Sequence, residues 1–581
     1  MGNLNILDWT IVGAYMVIVV AIGFAFTKRA GGSMEKFFLS GRSVPWWLAG
    51  VSIVASHFSA SFPIKISSLV RIYGIHHNWL HWYTVPGIMI GAIFFAKLWR
   101  RAGIITDNQL QEFRYGGKPA AGLRLFHAVY SGIFMNSFWL AMSLIAMEKI
   151  SVTIVPEIDP VTVIIVLSVI ALSYSVLAGL YGVVATDFIQ FIFATVGTGL
   201  LAVIILVKLG GPAELVRQVS ELPGKEHVTA IVPPLPAVGA STDDMLTFVC
   251  FALYVGVLWS FHGAQAGYGV QRLMAAKNER HAMLSLISAA FLEHGLLFWL
   301  WITIGLGSLV ILGVGFDDQA AYPEMAVQLL PVGLRGVFIA SMLAALMSTV
   351  DTHLNFGSSY IVNDLYKRFL HRDATEKHYV LVSRVTMVLI MAVSILMWLK
   401  LMKGTRILDN FKMITMAFAG LGTVGMLKWY WWRVNAWSEI SVMVASLACM
   451  MFLKFGIPEY KLTTDYYPIG LLITIVFSTC VWLPVTFLAK PVDMKHLLAF
   501  YERVRPAGPG WRPVAAASAV VSERNFSIYD LLAWLTAVAA VFFFSFGLGK
   551  LVLGHYALGS TMIGLSVASC TVMLRTISRK E

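Results

Sequence analysis

From one end to the other the chain alternates between apolar runs of about 20 residues and short polar breaks. A helix of that length crosses the hydrocarbon layer of a bilayer. The pattern predicts spans at 7–27, 46–73, 79–98, 121–148, 160–179, 184–209, 243–271, 281–312, 334–361, 378–402, 411–432, 437–456, 466–489, 528–550 and 555–575. Several exceed the bilayer thickness, which tilt or extension into water accommodates. The expected fold class is an all-α polytopic membrane protein with about fifteen transmembrane helices. The break GKLVLGHYALGS between the last two is short and weakly polar, so these two are the least separable. Residues 490–527 contain RPAGPGWRP and show no helical or strand period, which reads as a cytoplasmic linker without a core of its own.

Composition agrees with lipid as the main solvent. Of 581 residues, 58% are hydrophobic and 13% charged, where soluble domains carry about a quarter charged residues. The formal charge of +12 fits either a nucleic-acid-binding face or basic cytoplasmic loops, and its distribution favours the loops. Odd-numbered loops collect Lys28, Arg29, Lys36, Arg42, Arg100, Arg101, Arg114, Lys118, Arg272, Lys277 and Arg280, among others. The opposite loops carry Glu157, Asp159, Glu221, Asp243, Asp244, Asp317, Asp318 and Glu324. This positive-inside asymmetry places the N-terminus outside and the C-terminus in the cytosol of a plasma or inner membrane, with no nucleic-acid partner. The loop with Lys400, Lys403 and Arg406 runs against it. Cys250, Cys449, Cys480 and Cys570 are far apart and suggest neither disulfides nor a metal site. The chain has no CxxC, HExxH, GxSxG or Walker motif, and no extramembrane stretch is long enough for an ATPase domain. Neither an enzyme nor an ATP-driven pump is expected.

Three segments carry chemistry. The second predicted span holds Ser52, Ser56, His57, Ser59, Ser61, Pro63 and Lys65 where an apolar run belongs. Pro63 removes a backbone donor, and a broken membrane helix survives only against protein or a wet cavity. Such a break exposes carbonyls for a cation or solute; an ordinary proline kink is the alternative. In the ninth span Ala345, Ser348, Thr349, Asp351, Thr352 and Asn355 fall within about three turns. These hard oxygen donors suit an alkali cation better than zinc, iron or copper; packing by small polar residues is the alternative. In the sixth span Asp187 is either a wetted cap or a cation way-station.

These segments belong to a wider pattern. DWTIVGAYM, FFLSGRSVPWWLAGVSIVAS, GLYGVVATDFIQ, YGVQRLMAAKNERHA, and GLRG followed by LAALMSTVDTHLNFGSSYIVNDLY together resemble the sodium:solute symporter family over residues 5–490. The resemblance implies a leucine-transporter-type core of two inverted five-helix repeats. The expected organisation is an extra N-terminal helix and loop (1–45), a first repeat (46–209), an extracellular loop (210–242), a second repeat (243–432), two further helices (433–489), the linker (490–527) and C-terminal helices (528–581). It further implies Na+ as the coupling ion and the only metal, held by carbonyls at Ala55, Phe58 and Ala345 and hydroxyls at Ser348 and Thr349. A second cation site of some members matches Asp187, Ser348, Asp351 and Thr352, with Asp351 replacing a hydroxyl.

The solute positions of sugar-carrying members map to His57 and Phe62 on the broken helix, Trp259 and His262 on the seventh span, and Glu293 on the eighth. Together with Lys65, these residues make a small organic solute other than a plain hexose the expected cargo. Three readings of Lys65 and Glu293 stay open: a mutually neutralising pair, an anion site at Lys65, or an amine site at Glu293. The expected function is sodium-driven uptake by alternating access, without an obligate protein partner. Proton coupling on the same fold, a channel and a non-transporting sensor are the alternatives.

Overall fold

A computed structural model describes residues 4–30, 32–237, 241–262, 267–520 and 527–579. These are helical nearly throughout, with one isolated bridge between Val44 and Ala276. Among them twelve helices are long and apolar enough to cross a bilayer, or thirteen when the bent pair Trp46–Phe58 and Ser61–Tyr73 counts as one span. The expected number was about fifteen. The difference lies in predicted segments 243–271 and 411–432, whose pieces are each too short to cross alone. The first contains Thr242–Gly256 and Tyr268–Ala275, the second Ile407–Ala417 and Leu421–Tyr430. Window hydropathy registers their composition but not the breaks. Predicted spans five and six are joined without a loop, at Gly179 (φ 55°), inside Pro160–Lys208.

Helix starts follow local side-chain chemistry. Asp159, Asn278, Thr375 and Asn435 each accept a backbone amide from the first turn of the helix they precede. Depth in the bundle differs sharply between helices. In Leu334–Leu370, 94% of the apolar window is buried, against 17% in Tyr556–Ser578. The former is the axis of the molecule, whereas the latter leaves most of its apolar surface for lipid.

The N-terminal helix, Ile6–Ala30, is tied to that axis by a buried carboxylate. Asp8 Oδ1 accepts the amides of Gly333 at 2.7 Å and Gly336 at 2.8 Å, at the start of Leu334–Ser359 where no intrahelical acceptor exists. A Cβ on Gly336 would lie 2.7 Å from the Asp8 backbone. Asp8→Ala is therefore expected to cost about 1–2 kcal/mol, read as a lower Tm of the detergent-solubilised protein. An unchanged Tm would remove this joint from the account of stability.

The linker reading of 490–527 is corrected in part. Met494–Val504 is a helix that buries Leu497, Phe500, Tyr501 and Val504. Trp511 stacks on Phe500 at 5.5 Å and donates to the Trp429 carbonyl at 2.8 Å. Residues 521–526 lie outside the described residues. The C-terminal helices Ile528–Val552 and Tyr556–Ser578 form a pair turned at Gly554 (φ 80°). The first of them docks on the eighth span, where Ser545 Oγ donates to the His294 carbonyl at 2.6 Å.

Candidate ion and solute site

The Trp46–Phe58 helix gives way at Ser59 (φ 16°, ψ 139°), and its continuation, Ser61–Tyr73, departs at 61°. Pro63 is not the break itself. It is the third residue of the second half, where a helix has no use for the missing amide. The gap is held by hydroxyls: Ser59 Oγ lies 2.7 Å from Ser61 Oγ and 2.9 Å from Ser143 Oγ. Ala55 to Phe58 form the last turn before the break, where carbonyls run out of helical amides. Predicted span seven, which opens the second expected repeat, is interrupted as well, after Thr242–Gly256.

The buried helix Leu334–Ser359 packs beside the first half of the broken helix. Its Thr349 Oγ1 donates to the Ala345 carbonyl at 2.9 Å, and Ser348 Oγ donates to Asp187 Oδ1 at 2.5 Å. Both hydroxyl protons are thus committed, which leaves oxygen lone pairs available to a cation. Ala55, Phe58, Ala345, Ser348 and Thr349 are all at most 2% exposed. Uncharged oxygen ligands in a dry site suit a monovalent ion with little affinity for nitrogen or sulfur.

The four residues expected to form a second cation site divide into two groups. Asp187 is fully buried and accepts from Ser52 and Ser348, both at 2.5 Å. Its countercharge is Arg272, whose Nη2 lies 3.6 Å from Asp187 Oδ2. Arg272 also donates to Ser52 at 3.1 Å and to Thr352 at 2.6 Å, and Thr352 in turn meets Ser56 at 2.7 Å. Asp351 stands apart, receiving hydroxyls from Tyr174 at 2.8 Å and from Ser175. Arg272 was counted above as a cytoplasmic loop charge and is corrected here: it is wholly buried on Tyr268–Ala275. Its only signal in the sequence was its position one residue past the predicted end of span seven.

The expected solute residues are also only partly assembled. His57 Nδ1 and Glu293 Oε2 are 2.9 Å apart, and His57 stacks on Phe62 with ring centroids 6.4 Å apart. The pairing of Glu293 is therefore with His57, not Lys65. Lys65 Nζ sits 3.5 Å over the Phe62 ring and 3.6 Å over the Phe411 ring, with no hydrogen-bond partner among the described residues. Trp259 packs instead against Trp534 of the C-terminal pair at 5.4 Å, and His262 against Tyr83 at 5.8 Å. His81 and Phe411, absent from the expected set, pack against Phe62 and each other. A histidine among apolar neighbours carries no motif that marks it from sequence.

A helix broken beside a buried hydroxyl-bearing helix, with ionisable groups gathered at the break, defines a secondary-transporter architecture. The sodium:solute symporter family profile matches residues 37–445. The chain belongs to the sodium:solute symporter family, and is a sodium-coupled secondary symporter of a small solute rather than an enzyme. It is 26% identical to sodium/glucose cotransporter 4 of Danio rerio, over 92% of this chain and 87% of that protein. It is likewise 26% identical to the sodium/glucose cotransporter of Vibrio parahaemolyticus, over 78% and 86%. Among solved structures it is similar to a substrate-bound, outward-open sodium-coupled sialic acid symporter, with TM-score 0.66 and 20% identity over 84% of this chain and 99% of that one. That likeness supports the all-α, inverted-repeat-like arrangement.

Proposed function

We propose that this chain imports a small organic solute other than a plain hexose, coupled to one sodium ion per cycle bound at Ala55, Phe58, Ala345, Ser348 and Thr349. The observation that carries this reading is the break at Ser59, at the end of a helix that packs on the one bearing Ser348 and Thr349, whose protons are already engaged. Sodium bound there would hold the broken helix against Leu334–Ser359 and shape the adjoining solute site around His57, Phe62, Lys65 and Glu293. Each ligand then raises the affinity of the other. Rocking of one repeat, 46–209 against 243–432, opens the site to the opposite side. In this reading the interrupted segments 243–271 and 411–432 also cross the bilayer, the N-terminus is outside and the C-terminus cytosolic.

A second sodium is not part of the proposal, because the buried guanidinium of Arg272 already balances Asp187. One observation favours proton coupling as a second reading: Asp351 is buried with hydroxyl partners but no cation among the described residues. Proteoliposomes separate the two. With a labelled panel of a hexose, an amino acid, a nucleobase and an organic acid, an inward sodium gradient is expected to drive accumulation of one class other than hexose. Accumulation in sodium-free buffer driven by a pH step would replace sodium with a proton.

A further inference from the structure

We propose that the solute is an organic anion whose carboxylate docks on Lys65. The inference rests on the reading of this region as the solute site, and it settles the sign of charge that the residue types alone leave open. Lys65 is 2% exposed and its ammonium has no acceptor among the described residues. The same holds for three other buried nitrogens nearby: His81 Nε2, His294 Nδ1 and Trp301 Nε1. All four belong to one connected aromatic cluster. His81 packs on Phe62 at 5.6 Å and on Phe298 at 5.6 Å, His294 on Phe298 at 5.0 Å, and Trp301 on Phe62 at 6.2 Å and Phe298 at 5.5 Å.

Buried polar groups without partners are rare in folded proteins, and a cluster of them calls for an explanation. Lysine and tryptophan only donate, and a histidine nitrogen donates in the appropriate tautomer. For Lys65 and Trp301 the deficit is therefore one of acceptors. The nearby carboxylate, Glu293, meets His57 through Oε2 at 2.9 Å and makes no hydrogen bond to Lys65. A carboxylate solute brings two acceptor oxygens and the missing negative charge, and charge-assisted bonds of this kind are the strong ones. An amine would add donors to donors. A neutral polyol would leave the Lys65 charge uncompensated. The phenyl faces of Phe62 and Phe411, which flank the ammonium, supply cation–π attraction while no carboxylate is bound. Lys65 also lines a narrow cavity with Ser68, Gln319 and Arg406.

The test uses the purified full chain in detergent, with ligand binding read as a shift in Tm. Matched probes are glucuronate with glucose, lactate with lactamide, and benzoate with benzylamine, each with and without sodium. At least one carboxylate is expected to raise Tm in a sodium-dependent way while its uncharged or amine counterpart does not. Lys65→Met should then raise the half-saturating concentration ~100-fold and leave the Tm shift produced by sodium alone unchanged. Lys65→Arg should recover part of the affinity. Should Lys65→Met fail to fold, Trp301→Phe, which removes one donor and keeps an aromatic ring, should weaken binding severalfold. Equal binding of a neutral or amine counterpart, retained carboxylate affinity in Lys65→Met, or no response to any carboxylate overturns the proposal. Sodium-driven uptake of a neutral solute would overturn this inference and leave sodium symport standing; carboxylate binding without sodium dependence would do the reverse.

Discussion

Arg272→Met should destabilise the protein by about 3–5 kcal/mol, the usual cost of leaving one buried charge without its partner. The residue left behind is Asp187, fully buried and then held only by the hydroxyls of Ser52 and Ser348. Neutralising both members in Arg272→Met with Asp187→Asn should recover most of that loss, because no unpaired charge remains. The comparison is a double-mutant cycle on thermal unfolding in detergent. A further consequence distinguishes this pair from a passive strut. With the guanidinium removed, the Asp187 carboxylate is free to take a mobile cation, so sodium should raise the Tm of the single variant more than that of the wild type. A single variant as stable as the wild type, or one indifferent to added sodium, would show that the pair does not stand in for a second cation.

The second large effect concerns sodium itself. Thr349→Ala is expected to raise the sodium concentration needed for half-maximal uptake by about tenfold to a hundredfold, as expected for losing one buried oxygen ligand worth ~1–3 kcal/mol. Thr349 Oγ1 otherwise only returns a bond to its own helix at Ala345, a local interaction that adds little to stability. Its Tm without sodium should therefore stay near that of the wild type. Ser348→Ala should weaken sodium to a similar degree and lower the Tm as well, because Ser348 also donates to buried Asp187. Sodium activation unchanged in both variants would remove these hydroxyls from the ion's path.

How much of this was legible in the chain depended on whether the signal was local. Apolar windows located the long helices, and the run of serines in 46–73 located a broken one, because both are properties of adjacent residues. The bend falls at Ser59, inside the Ser56–Pro63 stretch, and Pro63 lies in the first turn of the second half. The helix in 494–504 was legible and missed. Leu497, Phe500, Tyr501 and Val504 follow helical spacing, but the Pro- and Gly-rich stretch after them dominated the reading. The partners of the ionisable residues were not legible at all. That Arg272 meets Asp187, that Glu293 meets His57, and that Trp259 turns to Trp534 are facts of tertiary packing between elements distant in sequence. Charge counting along loops placed Arg272 in water for the same reason: an arginine beside a span looks the same whether it faces solvent or a buried carboxylate.

The claim on which the rest depends is that sodium binds between the end of the Trp46–Phe58 helix and the hydroxyls of Leu334–Ser359. Equilibrium binding of radiolabelled sodium to purified protein tests it without knowledge of the solute. The account predicts saturable binding to the wild type and its loss in Ser348→Ala combined with Thr349→Ala, with the double variant still folded as judged by a cooperative thermal transition. Saturable sodium binding of undiminished affinity in that double variant would contradict it.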